Sequence, residues 1–491
     1  MKIQRRSFPG GYYFTGFQGE PEATIASAGI PDTIAIPLKQ GFGQAVPALV
    51  KRGDTVKAGQ IIGRDDATIS TPVHASVNGT VDAVKRLHYL GGKSWFVTIT
   101  PDGTTDWQPL DGHTENWSAL PRESLEELLY LSGVTALGAS GIPTRFNSSI
   151  ISPNDVKDVI VHHTDAEIFN TPIELLLQSG RVTQLVEGLK ILTTVLPHAK
   201  LHLAVNYKMV EWLYDIESEL QDDRVSYYSL KPKYPQEQDE VLIRTLLKKQ
   251  VPYNRIPADI RALTLTFQDV LHIYEAVVLG KPVIERLVTL AGPGFTHRPH
   301  VWTRIGTAVN EITKSRQKDD NAYRIVLNSV MRGITLPELT APVTREYRKI
   351  VSVVEKTDGD MLGFVMPGLQ HDSITNTFVA KFAPFLKKRL TSNTNGEQRG
   401  CISCGFCSDC CPVRLYPNLL HRYAEREKYE EAPVQYGIFD CIDCNLCTYL
   451  CTSKIPVAEF MKSGKQKLAE EGFLHREIEG LTEIEAYRGL P

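Results

Sequence analysis

The first hundred residues show the alternating pattern of short antiparallel strands. Between residues 32 and 99, short β-rich runs alternate with turn signals, of which Gly53-Asp54 and Asn78-Gly79 are the clearest. Glycine and asparagine adopt the positive φ angles that tight hairpin turns require. We therefore expect a small β domain over residues 1–110, in which residues 1–30 form an irregular leading segment.

Helical spacing and apolar runs alternate in the next part of the chain. Residues 124–130 have helical periodicity, residues 156–161 form a strand-like apolar run, and helical and β-rich runs follow at 173–194 and 200–206. Helices that alternate with buried strands indicate an α/β unit. The pattern predicts an α/β domain over residues 111–255.

A second β-rich region follows this α/β unit. Its strand-like runs surround one predicted helix at residues 268–279, and a Gly-Pro-Gly triplet at 292–294 marks a turn. We assign residues 256–345 to a β-grasp-like domain whose compact part begins near Val283. Residues 346–395 are then predicted to form a connector.

All nine cysteines of the chain lie in one stretch near its C-terminal end. Two runs, Cys401–Cys411 and Cys441–Cys451, each contain the spacing C-x2-C-x2-C-x3-C. In bacterial ferredoxins the first three cysteines of such a run bind one iron–sulfur cluster, and the fourth binds the other cluster. Cys410 lies outside this spacing. The spacing therefore predicts two 4Fe-4S clusters, one on Cys401, Cys404, Cys407 and Cys451, and one on Cys411, Cys441, Cys444 and Cys447.

Structural zinc and disulfide bonds explain the cysteine pattern less well. A zinc site needs only four thiolates, usually arranged as two separated C-x2-C pairs. Disulfides suit small secreted proteins, whereas this chain has 491 residues. Helical patterns between and after the two runs, at 415–431 and 457–471, favour an α-helical ferredoxin module over residues 396–491.

The composition is that of an ordinary globular protein of three or four domains. Hydrophobic residues make up 42% of the chain, charged residues 23%, and the formal net charge is −3. This balance gives no indication of nucleic-acid binding. The first residues lack the apolar core of a signal peptide, and no apolar run approaches the length of a membrane-spanning helix. We expect a cytoplasmic protein that associates with a membrane only peripherally.

Part of the β domain resembles a carrier domain. The run from Gly53 to Gly63 is similar to half of a biotinyl/lipoyl-type barrel-sandwich domain. Such domains carry their prosthetic group on a lysine at a hairpin tip, but the stretch that begins at Asp65-Asp66 has no lysine. His74 is a possible ligand, although a lone histidine beside a proline is more often an ordinary packed residue. The domain is predicted to be structural.

The order of these segments resembles that of RnfC, the C subunit of Rnf electron-transport complexes. The resemblance implies a fold class of α/β and β domains: a barrel-sandwich hybrid domain, a Rossmann-like α/β domain, an SLBB-type β-grasp domain and a C-terminal α-helical ferredoxin domain. It is carried by residues 53–63, 72–79, 233–236 and 280–286, and by the cysteine runs with residues 453–456.

Other segments resemble NqrA, the A subunit of the sodium-translocating NADH:quinone reductase, Nqr. That family lacks the cysteine runs, so the chain looks intermediate between the two families. The segments that carry this second resemblance are 19–22, 268–270, 290–293, 303–306, 362–368 and 373–378.

The resemblance to RnfC also implies a flavin site, for which Gly138 and Gly141 are the candidates. Flavin-binding members have a richer glycine loop that is followed by a lysine, whereas Arg145 follows here. Together with three other departures, this predicts that FMN and direct oxidation of NADH are absent. The other departures are Asp165-Ala-Glu167 for an E-x-E stretch, Glu237–Glu240 for glycines after Tyr234-Pro-Gln236, and Phe267–Val270 for an N-x-G-T loop.

Three functions follow from these features. The first is an electron-transfer subunit on the cytoplasmic face of the inner membrane, which relays electrons through two clusters within an Rnf/Nqr-like ion-translocating complex. Its partners would be the membrane subunits of the complex, together with ferredoxin or an NADH-oxidising protein. The basic segment Lys387–Arg389 is either a contact for such a partner or a solvated helix end. The alternative is a self-contained FMN-dependent NADH oxidoreductase, similar to cobalamin reductases. A purely structural subunit is the third.

Overall fold

The computed structural model describes residues 2–41, 43–136, 141–146, 148–318, 323–355, 390–392, 398–428 and 436–472. The strands in these ranges are β1 (Ile3–Arg6), β2 (Ile25–Ser27), β3 (Ile34–Pro37), β4 (Thr55–Val56), β5 (Ile61–Gly63), β6 (Val73–His74), β7 (Gly79–Tyr89), β8 (Gly92–Pro101), β9 (Asp158–His163), β10 (Lys200–Asn206), β11 (Val225–Leu230), β12 (Ala262–Thr266), β13 (Glu285–Ala291), β14 (His300–Arg304), β15 (Tyr323–Leu327), β16 (Ile334–Thr335) and β17 (Lys349–Val354). The helices are α1 (Arg122–Ser132), α2 (Ile173–Leu176), α3 (Arg181–Val195), α4 (Val210–Leu220), α5 (Asp239–Leu247), α6 (Phe267–Val278), α7 (Val309–Thr313), α8 (Phe406–Asp409), α9 (Pro417–Glu425), α10 (Leu446–Tyr449) and α11 (Val457–Glu470).

The predicted N-terminal β domain is present. A sheet of order β3-β8-β7-β4 encloses an aliphatic core together with the β5-β6 pair. Gly53 lies in a turn with a φ of +89°, as its sequence predicted. Asn78-Gly79, in contrast, does not form a hairpin turn, because Gly79 begins β7. The buried Asn78 side chain accepts a hydrogen bond from the Ala58 N–H at 2.8 Å and so ties two loops together.

The middle of the chain contains a five-stranded, fully parallel sheet of order β1-β11-β10-β9-β12. Both faces are covered, as a parallel sheet requires. Val159 and Val161 of β9 point into one large core, and Ile160 between them points into a second core on the opposite face. Because both faces of the sheet are buried, the successive residues 159–161 of β9 are all apolar, and the sequence shows a continuous apolar run.

Two predicted boundaries of the sheets differ from the observed ones. Residues 1–30 were expected to be irregular, but β1 forms an edge of the parallel sheet and β2 forms an edge of the next sheet. The α/β unit was expected to end at residue 255, but β12 pairs with β9 and α6 packs on α3. These short strands carry little periodic signal of their own; they form because a neighbouring strand offers unpaired backbone groups.

A six-stranded mixed sheet follows, in the order β16-β15-β17-β13-β14-β2. Its core includes Val288, Val301, Ile325 and Ile350. β17 lies at the start of the predicted connector, yet every one of its six residues is buried. The remainder of the connector between residues 356 and 389 lies outside the described residues.

The C-terminal helical unit contains the cysteine runs and is attached to the rest of the protein by hydrogen bonds that include main-chain carbonyl groups. The Gly11 N–H donates to the Cys410 carbonyl at 2.8 Å, and the Asn445 side-chain amide donates to the Met331 carbonyl at 2.6 Å. Its own core is formed by residues such as Leu420 on α9 and Met461 on α11. Nowhere in the described ranges is a helix long and apolar enough to cross a membrane.

Candidate metal centres and the adjoining cavity

The two cysteine runs adopt the same local conformation. In each run the third and fifth residues have positive φ: Ser403 and Gly405 in the first, and Asp443 and Asn445 in the second. Glycine, asparagine and aspartate tolerate this left-handed region better than other residues do. Each loop then leads directly into a short helix, α8 or α10, and so curls around a central space.

The structure brings together the two sets of cysteines that the spacing predicted. One small cavity is lined by the first set and a second by the other set, so each run supplies its fourth cysteine to the other run's cavity. Cys407 and Cys410 also border the second cavity. The first set is Cys401, Cys404, Cys407 and Cys451, and the second is Cys411, Cys441, Cys444 and Cys447.

Backbone N–H groups lie close to several of the sulfur atoms. The Leu415 N–H donates to Cys411 Sγ at 3.3 Å, and the Ile455 N–H donates to Cys451 Sγ at 3.4 Å. Such bonds stabilise thiolates and tune the potential of a cluster. Each fourth cysteine therefore sits where the following turn of chain presents its amides to the sulfur.

Burial holds the thiols in their neutral form when no cation is present. Desolvation raises the pKa of Cys441 to about 12 and that of Cys407 to about 11. A bound metal reverses this preference because a coordinating thiol is deprotonated. In the described part of the chain, no three Cys, His, Asp or Glu side chains converge as a single metal ion requires. Four thiols instead surround each cavity, and this donor set fits a 4Fe-4S cluster.

Cys410, the one cysteine that belongs to neither set of four, is buried beside the second cavity. Its thiol donates to the Cys407 carbonyl at 3.4 Å, and desolvation raises its pKa. Its own carbonyl accepts the hydrogen bond from Gly11. A side chain at Gly10 would have to lie 2.5 Å from that same carbonyl oxygen, so the N-terminal segment packs directly on this turn.

A cavity of about 1100 Å³ lies next to the helical unit, at the carboxyl ends of β9 and β12. Ligand sites of open α/β sheets occur at this edge. Its walls come from distant parts of the chain: the β-domain loop at Lys39, the end of β9 at His163, the segment before α5 at Glu237, and Lys349 of β17. Three segments that the resemblance assigned to a flavin site contribute lining residues, including Glu167, Glu237 and Gln268. Sequence reasoning did not predict that Lys39 and Lys349 join them, because these residues converge only in the folded chain.

The buried ammonium group of Lys349 contacts the acidic wall of the cavity. Lys349 Nζ lies 3.1 Å from Glu167 Oε2 and also donates to Asn170 Oδ1 at 2.8 Å. Desolvation raises the pKa of Glu237 to about 7 although Lys349 opposes it, and desolvation raises the pKa of Asp239 to about 6. Near neutral pH the Glu237 carboxyl is therefore close to the midpoint of its protonation, whereas Asp239 is protonated only at lower pH.

Of the two candidate flavin residues, the structure describes only Gly141. Gly138 lies outside the described residues, and Gly141 is not among the residues that line the cavity. Gly141 has a φ of +66°, and a side chain there would come within 2.5 Å of the Thr135 carbonyl oxygen, so the loop's own packing requires glycine. Arg145 stacks on Phe146 and pairs with Glu127.

The wall of the cavity also lacks the features that bind a flavin phosphate. Helix N-termini bind phosphate through their free N–H groups. Here α5 starts with Asp239 and Glu240, whose carboxylates occupy its first turn. Asp239 accepts a hydrogen bond from the Thr264 hydroxyl at 2.7 Å, which fixes the carboxyl group in the wall. These residues do not fit an FMN phosphate.

Tyr234 connects the cavity with the second cysteine set. It lines the cavity, and its hydroxyl donates to the Cys444 carbonyl at 2.9 Å. The same hydroxyl accepts a hydrogen bond from Gln238 Nε2 at 2.9 Å. One side chain thus joins the cavity wall to the loop of the second set.

His74, the other candidate ligand, is a packed residue as expected. Its Nε2 lies 2.7 Å from the Leu131 carbonyl oxygen, and its Nδ1 accepts a hydrogen bond from Arg345. Desolvation, followed by the charge of Arg345, lowers the pKa of His74 to about 3. The imidazole therefore stays neutral and joins the β domain to α1 and to the turn before β17.

Two family models match the chain. Residues 7–104 match the RnfC barrel sandwich hybrid domain, and residues 399–456 match a 4Fe-4S dicluster domain. The first match confirms the barrel-sandwich prediction, and the second confirms that the cysteine runs form an iron–sulfur region.

Curated relatives match over most of the chain. The C subunit of the ion-translocating oxidoreductase complex of Vibrio cholerae is 27% identical over 431 residues, which cover 86% of this chain and 51% of that protein. The protein of the same name from Actinobacillus succinogenes is 29% identical over 469 residues, with coverage of 94% and 61%. The chain thus spans about half to three fifths of the length of these relatives.

Solved structures give a more distant match. An NAD+-reducing NiFe-hydrogenase in the air-oxidized state is 12% identical, with a TM-score of 0.39 and coverage of 77% of this chain and 70% of that one. The family models and the curated relatives confirm the predicted resemblance: this chain carries an RnfC-type barrel-sandwich domain and a 4Fe-4S dicluster domain, and most of it is similar to the C subunits of ion-translocating oxidoreductase complexes.

Proposed function

We propose that this protein is an electron-transfer subunit of a membrane-associated, ion-translocating oxidoreductase complex. The observation that carries the proposal is the pair of adjacent cavities in one helical unit, each surrounded by four thiols. A 4Fe-4S cluster bound in each cavity would supply single-electron transfer. The ligands would be Cys401, Cys404, Cys407 and Cys451 in one site, and Cys411, Cys441, Cys444 and Cys447 in the other.

The chain's own residues would hold these sites rigid and dry. The Leu415 and Ile455 amides face sulfur atoms, and Tyr234 and Gly11 tie the cysteine loops to the body of the protein. A rigid site rearranges little when its cluster gains or loses an electron. The helical unit thus serves as a relay, and the remaining domains serve as its support.

The supporting domains are proposed to be of the types that the resemblance implies. The parallel sheet with helices on both faces is consistent with a Rossmann-like domain. Its last strand, β12, and the following helix, α6, extend the predicted range of 111–255 as far as residue 278. We propose an SLBB-type β-grasp domain for the mixed sheet. The resemblance to NqrA stays a prediction.

We further propose that the protein works without FMN. Carboxylates in the first turn of α5 would repel a phosphate, and Gly141 serves its own loop. The names of the relatives favour one component of a larger complex over a self-contained FMN-dependent NADH oxidoreductase. Oxidation of NADH would then fall to a partner, with membrane subunits and a ferredoxin or NADH-oxidising protein as the expected contacts at the cytoplasmic face of the membrane.

The cofactor content of anaerobically purified protein tests this proposal. We expect about eight iron and eight sulfide ions per chain, with no flavin released by acid. Cys404→Ser and Cys444→Ser should each lose about half of the iron because one cluster loses a ligand, whereas Cys410→Ser should keep all of it. Stoichiometric FMN would favour the alternative function, and full iron in either ligand variant would contradict the ligand assignment.

A further inference from the structure

Two carboxyl groups from distant parts of the chain meet in the wall of the large cavity. Glu167 follows β9 and Glu237 precedes α5, and both line the cavity. Their side chains are within hydrogen-bonding reach of each other when one of them is protonated. Two adjacent carboxyl groups that are shielded from water do not both ionise without a cost. The two residues, which we call the acid pair, therefore form a site for one proton.

The two members of the acid pair have different surroundings. Glu167 accepts a hydrogen bond from the Ser329 hydroxyl at 2.7 Å, and its other oxygen lies 3.1 Å from Lys349 Nζ. Both contacts favour the ionised form of Glu167. Glu237 accepts a longer hydrogen bond of 3.2 Å from the side-chain amide of Asn170. Desolvation, which Lys349 opposes, raises the pKa of Glu237 to about 7, so Glu237 is the member that takes the proton.

The charges around the acid pair favour uptake of a proton. Asp165, Glu167 and Glu237 all lie close to the ammonium group of Lys349, so three carboxyl groups surround this cation. A proton on one of the three reduces their mutual repulsion. Further charged groups face this cluster from the neighbouring elements: Asp239, Arg332 and Arg348 in the cavity wall, and Glu174 and Lys208 beside Asp165.

Tyr234 lies between the acid pair and the second cysteine set. Its hydroxyl donates to the Cys444 carbonyl at 2.9 Å, and the charges of Glu167 and Glu237 also act on this hydroxyl. Cys444 is 9% exposed, whereas Cys404, its equivalent in the first run, is exposed. Charges interact more strongly where water is excluded. A negative charge added at the second set therefore acts on the acid pair more strongly than one added at the first set.

We propose that the acid pair binds one proton when the second iron–sulfur site gains one electron. This inference rests on the proposed function and adds proton uptake to electron transfer. The electron comes from a one-electron donor, and the proton comes from solvent through the cavity, where Glu237 is partly exposed. One O–H bond forms on the Glu237 carboxylate. Because the coupling is reciprocal, the factor by which reduction strengthens proton binding is also the factor by which the bound proton favours reduction.

Redox titrations of cluster-loaded protein, followed by electron paramagnetic resonance, test the proposal because they report the two sites separately. Glu237 is protonated at pH 5 and ionised at pH 9, and the ionised carboxylate opposes the incoming electron. We expect reduction of the second site to be about tenfold more favourable at pH 5, which corresponds to about 59 mV for one electron. The potential of the first site should change much less.

Two matched substitutions locate the proton. Glu237→Gln should hold the second site at the low-pH potential of the wild type at both pH values, because the amide is neutral like the protonated carboxyl group. Glu240→Gln makes the same change on α5, at a residue that is not among those lining the cavity, and should keep the wild-type pH dependence. Equal wild-type potentials at pH 5 and pH 9, or an unchanged pH dependence in Glu237→Gln, would overturn the proposal.

Infrared difference spectra provide a test that needs no variant. At pH 7.5, reduction of the wild type should add the carbonyl absorption of a protonated carboxyl group. A spectrum without this absorption would overturn the proposal even if Glu237→Gln failed to bind its clusters. Clusters that are absent, or that dithionite does not reduce, would instead refute the relay function itself. Reducible clusters with a pH-independent second potential would overturn the proton uptake alone.

Discussion

Tyr234→Phe tests the link between the large cavity and the second cysteine set. The substitution removes one oxygen atom and keeps the ring, which packs 5.3 Å from the ring of Phe14, so no cavity is created. Tyr234 is 1% exposed, and its hydroxyl bonds both the Cys444 carbonyl and the Gln238 amide. Both of these groups would lose a buried partner.

The cost of this loss follows from the two hydrogen bonds. A buried polar group that loses its partner costs about 1–3 kcal/mol. If that cost falls on the closed form of the Cys444 loop, the open form gains roughly five- to 150-fold in population. Iron at the second set should therefore become more accessible, while iron at the first set should not change.

Iron release to a coloured chelator under anaerobic conditions measures this effect. We expect two phases in Tyr234→Phe: half of the iron released faster than in the wild type, and half at the wild-type rate. Tyr228→Phe is a matched control, because the Tyr228 hydroxyl lies 3.2 Å from His202 Nδ1 in the parallel sheet and contacts no cysteine. Unchanged release from Tyr234→Phe, or the same acceleration in Tyr228→Phe, would refute the reasoning.

Two other predictions concern the acidic wall of the cavity. Glu237→Gln should stabilise the protein against urea by up to about 3 kcal/mol at pH 8 and by little at pH 5. The pKa of the Glu237 carboxyl is about 7 in the folded protein, above its ordinary value of 4.5. The wild type therefore loses stability as the pH rises through that range. Equal gains at both pH values would contradict this. Lys349→Met should cost about 3–5 kcal/mol at pH 8, because Glu167 is left as a buried, unpaired charge. Adding Glu167→Gln should recover most of that loss; a double variant no more stable than Lys349→Met would contradict the ion-pair account.

The sequence by itself determined the features that depend on local spacing. The positions of the cysteines predicted which four would lie together, because in bacterial ferredoxins the fourth cysteine of each such run binds the other cluster. The structure groups the same residues around two cavities. The turn at Gly53 and the β domain followed in the same way from residue types with restricted φ and from alternating burial. The packed role of His74 followed from its neighbours.

Only the tertiary structure decided the features that depend on distant segments. β1 and β2 are strands because they pair with β11 and β14, not because their residues favour strands. The large cavity exists because Glu167, Glu237 and Lys349 meet, although they are far apart in the chain. The two cysteine runs differ in exposure because one packs on Tyr234 and the other does not. Pairing and burial between segments are set by the whole chain, so no local pattern contains them.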